Sequence, residues 1–346
     1  MLSPGILESR FLVYIISQTR NRENDSRNTQ KKIQEICNEK SIMMHNSPIL
    51  LFTYNRLAHT RRCVEALLKN PLATESELFI YSDGAKDASS QESVNEVRQY
   101  IHTIRGFRQI TIIERNENWG LARSIIDGVT TQVNRYGKVI VLEDDLVVAP
   151  HFLQFMNDAL ETYKNEPKVG HIQACDFTQD PTLPETFLIK WTGSWGWATW
   201  DRAWKHFNSN GKELLDELTQ RKLTYTFDFN GKYGYTRMLR RQIEGKNNSW
   251  AIRWNASLFL KGILSLNVGR SLVQNEGFDG SGTNCGGGGL YASTLHMDKL
   301  PVVPIVPIEE NKEARQAYVR YYARTNSFWA KAIRRIKRTL QGDFGA

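Results

Sequence analysis

The chain has 346 residues, 40% hydrophobic and 24% charged, a globular composition with apolar material for one large domain or two modest ones. No apolar stretch approaches the roughly 20 residues of a membrane-spanning helix, and the longest near the start, Phe11 to Ile16, is short for a signal peptide and leads to no cleavage site. The formal charge of +8 is concentrated between Ala314 and Arg338, where eight basic residues and no acid occur, so the remainder is close to neutral and a general nucleic-acid binder is disfavoured.

Cys37, Cys63, Cys175 and Cys285 show neither C-x-x-C nor zinc-ligand spacing and read as reduced thiols of a cytoplasmic protein. Residues 1–46 are polar and weakly periodic over Asn21 to Lys40, and are expected to be an extension, disordered or lying upstream of a natural start near Met43. From Ser47 the pattern becomes regular. Pro48 to Phe52 reads as a strand, Tyr54-Asn55-Arg56 as a loop, and Ala58 to Lys69 as a helix with Cys63, Ala66 and Leu67 inward. Leu78 to Tyr81 is a second strand ending at Ser82-Asp83-Gly84, followed by a helix over Ser90–Thr103 and a third strand over Ile110–Ile113. Asn118-Trp119-Gly120 precedes a helix through Leu121, Ile125 and Val129, and Val139 to Leu142 forms a fourth strand. This repeated strand–helix alternation predicts an α/β protein with a mostly parallel, helix-flanked sheet. Neither G-x-G-x-x-G after the first strand nor G-x-x-x-x-G-K-[ST] anywhere is present, which argues against dinucleotide and P-loop enzymes.

Glu143-Asp144-Asp145 closes the fourth strand. Ligand crevices of open α/β sheets lie at such carboxyl ends, and adjacent, poorly hydrated carboxylates call for a cation. Their hard oxygens suit Mg²⁺ or Mn²⁺, with phosphate oxygens as the remaining partners. Alternatively the acids serve the helix that begins near Pro150-His151-Phe152. Lys190 to Trp200 holds four tryptophans in eleven residues, suited either to a sugar-binding cleft or to core packing around glycines. Gly277 to Gly289 is too glycine-rich for a packed element and reads as a mobile loop that closes on a ligand or simply lies at the surface. In the basic tail, Trp329, Ile333, Ile336 and Leu340 recur at helical spacing, which suits an anionic membrane surface or docking on the protein's own core.

Thr53-Tyr54-Asn55-Arg56, Ser82-Asp83-Gly84, Glu143-Asp144-Asp145-Leu146 with Val148-Ala149-Pro150, and Gly193-Ser194-Trp195-Gly196-Trp197 occur in that order. Together they resemble a GT-A fold glycosyltransferase. The nearest resemblance is to bacterial relatives of N-acetylglucosaminyltransferase I, overlapping the inverting family 2-like sugar transferases, and it runs from about Pro48 to His296. It implies a single GT-A domain with a nucleotide-sugar-binding half over 47–150 and a donor-sugar and acceptor half over 151–300, leaving 301–346 as the basic tail. By the resemblance, Arg56, with Thr53 and Asn55 beside it, holds the nucleotide diphosphate. Asp83 pairs with the uracil N3–H, although an ordinary Asp-Gly turn is the alternative. Asp145 is the direct metal ligand, with Mn²⁺ or Mg²⁺ as cofactor, and Glu143 and Asp144 contact donor sugar, ribose or bound water. Trp195 and Trp197 line the donor sugar and acceptor, and Trp250 and Arg253 are carried over as substrate-binding residues. His296 alone among the histidines could complete a metal site, a structural histidine being the alternative.

The sequence departs from the family at the general base. A W-D-D-W-M-R-like stretch carries that carboxylate in the relatives, whereas here the corresponding segment reads Asn247-Asn248-Ser249-Trp250-Ala251-Ile252-Arg253-Trp254. Asp279, Glu244 and Asp176 are the substitutes, Asp279 first. The resemblance thus implies an inverting, metal-dependent transfer from a UDP-sugar, with UDP-N-acetylglucosamine inherited from the relative, to a glycan or lipid-linked acceptor in bacterial surface polysaccharide synthesis. The enzyme would sit in the cytoplasm, peripheral on the inner face of the plasma membrane, with no nucleic-acid partner. The competing readings are a nucleotidyltransferase and a catalytically impaired sugar-nucleotide-binding protein.

Overall fold

A computed structural model describes residues 46–278 and 293–327. Its frame is an eight-stranded sheet whose first half follows from the alternation in the sequence. Strands β1 (Ile49–Thr53), β2 (Glu77–Ser82), β3 (Gln109–Glu114) and β4 (Lys138–Glu143) are joined by helices α1 (Leu57–Leu68), α2 (Gln91–Ile101) and α3 (Gly120–Tyr136). They pair in parallel, β2 with β3 and β1 with both β2 and β4. Every residue of β1 is buried, because helices cover both faces, and this is why the strand reads as an unbroken apolar run. Leu50, Phe52, Val139 and Val141 face α3, while Ile49, Leu51, Ile140 and Leu142 face α1 and α2.

The second half departs from simple winding. After β5 (Leu146–Val148) and α4 (Phe152–Thr162) come β6 (Val169–Gln173), β7 (Thr186–Ile189) and β8 (Trp197–Trp200). Helices α5 (Asp201–Trp204), α6 (Gly211–Gln220), α7 (Thr224–Phe227), α8 (Tyr235–Ile243) and α9 (Trp250–Lys261) follow, then β9 (Leu264–Val268), β10 (Val273–Asn275) and α10 (Lys312–Thr325). The strand order is β3-β2-β1-β4-β8-β6-β9-β7. Strand β8 runs antiparallel to both β4 and β6, so β4 and β6 point the same way and end on one edge. A separate antiparallel pair, β5 with β10, stands at that edge and brings Asn275 opposite Leu146.

Two helices begin at the same edge. Asp83, just past β2, accepts hydrogen bonds from the Trp119 and Gly120 N–H groups and pins the start of α3. Ser249 caps α9 by accepting from the Ile252 N–H. Down α9, Trp250 stacks on Trp197, Trp254 donates to His171, and Leu258 reaches Gly170, so α9 runs from the carboxyl edge of β6 toward its amino edge. Its left-handed C-cap, Gly262 at φ +68°, then turns the chain into β9.

The tryptophan-rich stretch is largely core. Trp191, Trp197 and Trp200 are buried, and Trp197 lies between His171 and Trp250. Strand alternation and the close approach allowed by Gly193 and Gly196 fold these rings inward; a Cβ on Gly193 would lie 2.6 Å from the Gln173 amide. The segment expected to be a tail also enters the fold. Ala314, Ala317, Tyr318 and Tyr322 of α10 pack against Phe177, Trp191 and Phe229, and Arg315 is buried beside Glu310. Its exposed basic residues alternate with this apolar face, which gives an amphipathic pattern docked on the protein's own core.

Candidate active site

The acids Asp144 and Asp145 follow β4 directly and are 4% and 7% exposed. Arg56 reaches them from the N-cap of α1, donating through Nη2 to Asp144 Oδ1 and, at 3.0 Å, to Asp145 Oδ2. Burial opposes the charge on Arg56, but the two carboxylates outweigh it and raise its pKa. Burial raises Asp144 to about 6 despite Arg56, with Asp145 adding to the rise. Glu143 is pushed well above the carboxylate range by burial and by Asp145 and Asp144, against the pull of Arg56. Among the described residues three acids therefore share one guanidinium, and those residues leave the site with surplus negative charge.

Two of its oxygens have no partner among the described residues. Asp144 Oδ2 and Asp145 Oδ1 are buried and accept no hydrogen bond from the described residues, and Arg56 Nη1 is likewise buried without an acceptor among them. Buried carboxylate oxygens without a donor fit a hard divalent cation. No group of three His, Cys, Asp or Glu side chains able to hold a metal occurs among the described residues. Mg²⁺ and Mn²⁺ can be held by one or two carboxylates, with phosphate and water completing the shell. His296 does not join these acids in such a group. Its backbone N–H donates to the Ser271 carbonyl at 2.7 Å, which ties the segment around it to the turn before β10.

The chain after β10 closes on the same acids. The Glu276 N–H donates to the Asp145 backbone carbonyl, the Glu276 carboxylate pairs with Arg62 of α1, and the Gly277 N–H donates to Asn275 Oδ1. A Cβ on Gly277 would lie 2.3 Å from Asp145 Oδ2, so only glycine permits this approach. Phe278 meets the half-buried Trp195 ring at 5.5 Å, and Trp195 is held by a hydrogen bond from Gln173 Nε2 to its carbonyl. Gly277 was legible only as the first glycine of a glycine-rich run; its contact with Asp145 depends on the β5–β10 pairing. Gln173 and His171 gave no signal at all, being single polar residues in a buried strand.

The other expected residues are divided. Thr53 ends β1 and its carbonyl accepts from the Asp83 N–H, while Asn55 is half-buried in the loop beside Arg56. Asp83 also accepts from the Gly84 N–H, so its carboxylate anchors a turn and the start of α3. Trp197 and Trp250 stack on one another at 0% and 3% exposure and present no ring face to a ligand; the apolar strand and helix that carry them pack face to face. Arg253 is buried and, among the described residues, donates only to neutral oxygens, those of Ser249, Ser209 and Asn248. Among the substitutes for the base, Glu244 is exposed at the end of α8 and paired with Lys246, a surface ion pair with no buried surroundings to raise its basicity. Asp176, three residues past β6, is raised to about 6 by burial, yet its oxygens accept from the Thr178 N–H and hydroxyl and from the Gln179 N–H. Asp279, the rest of the glycine-rich stretch and the tail beyond Ser327 lie outside the described residues.

No curated protein matches the chain in sequence. Among solved structures, it is similar to a mannosyltransferase from Pyrobaculum calidifontis in complex with GDP-Man and Mn²⁺, at 15% identity and a TM-score of 0.34, covering 50% of this chain and 46% of that one. It is also similar to S. aureus TarS, at 14% identity and a TM-score of 0.28, covering 40% of this chain and 23% of that one. A third likeness is to glucosyl-3-phosphoglycerate synthase from Mycobacterium tuberculosis in complex with Mn²⁺, UDP and glucosyl-3-phosphoglycerate, at 11% identity and a TM-score of 0.31, covering 54% and 69%. The chain thus spans less than half the length of the first two. Residues 49–246, more than half of the chain, match the model of glycosyl transferase family 2, and with its acid-tipped, mostly parallel sheet of the GT-A fold the chain belongs to that family.

Proposed function

We propose that the chain transfers a sugar, with inversion, from a UDP-sugar to a hydroxyl of a glycan or lipid-linked acceptor in surface polysaccharide synthesis. The observation that carries this reading is the pair of buried oxygens Asp144 Oδ2 and Asp145 Oδ1 beside Arg56, which have no hydrogen-bond partner among the described residues. A divalent cation bound there would supply charge neutralisation for the departing nucleoside diphosphate. The remaining work falls to this chain's own groups. Arg56 can donate through Nη1, which has no acceptor among the described residues, to a phosphate oxygen while Nη2 stays on the carboxylates. The half-buried Trp195, held by Gln173, offers the sugar an aromatic edge at the start of the glycine-rich stretch.

Inversion requires a base to take the acceptor proton. Ser249 occupies the family's position and its Oγ is already engaged as the α9 cap. Asp279 is the base this reading takes first; Gly277, two residues earlier in the sequence, lies against Asp145. The absence of a carboxylate at Asn248 or Ser249 also favours a second reading, a protein that binds a sugar nucleotide without turning it over.

The deciding experiment is thermal unfolding with UDP, GDP and UDP-sugars, each with Mn²⁺ and with chelator, followed by assay of sugar release. Metal-dependent stabilisation by UDP compounds, lost in Asp145→Asn, is expected. A shift with UDP but no transfer or hydrolysis selects the second reading. Stabilisation by GDP alone, or by nucleotide in chelator, refutes the donor assignment.

A further inference from the structure

An arginine buried without an anion among the described residues marks a second site beside the first. Between the first turns of α3 and the residues entering α9 lies a groove of about 500 Å³, lined by Trp119, Arg123, Asp127, Thr130, Asn248 and Arg253 among others. Both helices begin at the carboxyl edge of the parallel strands, α3 through its anchor on Asp83 and α9 through the stacking of Trp250 on Trp197 near the end of β6. The groove therefore opens on the edge that carries Asp144 and Asp145, but on the α3–α9 face of the sheet.

Its charge is one-sided. Arg253 is 7% exposed, and among the described residues its three donor groups meet only the carbonyls of Ser249 and Ser209 and the amide oxygen of Asn248, at 3.1, 3.3 and 3.3 Å. Neutral oxygens solvate a guanidinium without neutralising it, and burial accordingly lowers its pKa. Arg123 adds a second cation, with its face on the Trp119 ring at 3.8 Å and the exposed Glu117 as its ion-pair partner at 3.9 Å. The carboxylate on the groove wall, Asp127, is already paired with Arg115. A volume of this size admits one or two sugar units, and Thr130 and Asn248 offer hydroxyl and amide groups to them.

We propose that this groove holds the acceptor, and that the acceptor carries an oxyanion, a carboxylate or a phosphate, which Arg253 and Arg123 bind. The proposal rests on the glycosyltransferase reading and adds the acceptor class to it. Planar guanidinium groups match both oxyanions in bidentate geometry.

The test is calorimetric titration of the full chain, in chelator and at constant ionic strength, with glucuronate, with glucose 6-phosphate and with uncharged methyl glucoside. At least one anion is expected to bind about tenfold or more tightly than the glucoside, and Arg253→Gln and Arg123→Gln are each expected to weaken it by about tenfold. Which anion binds tells carboxylate from phosphate. Asp145→Asn, expected to abolish metal-dependent UDP binding, is expected to leave anion binding unchanged. Should Arg253→Gln fail to fold, the exposed Arg123→Gln decides. Equal binding of all three sugars, or anion binding indifferent to both arginine variants, overturns the proposal. Metal-dependent UDP binding without anion binding overturns it while the donor reading stands; anion binding without UDP binding refutes the donor reading alone.

Discussion

Replacing Asp144 with asparagine should change how the protein's stability depends on pH, in a direction fixed by the site's surplus charge. Burial raises the folded pKa of Asp144 from 3.8 to about 6. A raised carboxylate pKa means the folded state keeps its proton where the unfolded chain has lost it. Stability therefore falls as pH rises through the window from about 4 to about 6, and does not recover above it. The gap corresponds to about 3 kcal/mol at roughly 1.4 kcal/mol per pH unit. Because the side chain is only 6% exposed, solvent does little to reduce this figure. Asparagine preserves the shape and the oxygen that Arg56 contacts but does not ionise. Glu143 is pushed up partly by Asp144, so the substitution eases Glu143 in the same sense. Urea unfolding in chelator at pH 4 and pH 7 should therefore show the difference between Asp144→Asn and the unsubstituted protein moving toward the variant by about 2 kcal/mol, because the unfolded aspartate is already more than half ionised at pH 4. Taking the difference removes other titrating groups such as His171, which burial lowers to about 3 and which acts with the opposite sign. Adding Mn²⁺ at pH 7 should stabilise the unsubstituted protein more than the variant. Parallel pH profiles would refute the reasoning, because they would mean that Asp144 ionises in the folded protein as easily as in the unfolded chain.

Gly277→Ala should weaken Mn²⁺ binding and transfer together with little change in urea midpoint, since its Cβ would displace the Asp145 carboxylate at the end of the chain's approach; a metal titration like that of the unsubstituted protein would show that the segment yields instead. Asp83→Ala removes the acceptor for the Gly84, Trp119 and Gly120 N–H groups and should lower stability by about 2 kcal/mol in urea, with Asp83→Asn intermediate. Trp254→Phe keeps an aromatic ring but leaves His171 Nδ1 without the donor it now has at 3.1 Å, and should cost about 1–3 kcal/mol. A loss below a few tenths of a kcal/mol would show that the histidine finds another donor.

The parallel half of the sheet is legible in the residues alone. Unbroken apolar runs at Ile49–Phe52 and Val139–Leu142, separated by amphipathic helices, permit little else, because a strand apolar on both faces has to be covered on both. Asp144 and Asp145 are legible too at a strand end, with Arg56 and Asp83 in loops at the same edge, since chain order and parallel pairing suffice to bring these loops together. The role of the tryptophans is not. Whether Trp197 faces a cleft or a core depends on β8 entering between β4 and β6 in the antiparallel sense, a long-range pairing with no local signal. The same holds for Arg253, whose side chain ends beside α3 only because α9 runs back across the sheet, and for Gly277, brought to Asp145 by the pairing of β10 with β5. Local periodicity encodes which face of an element is apolar; what that face meets is set by contacts between residues far apart in the chain, and those exist only once it has folded.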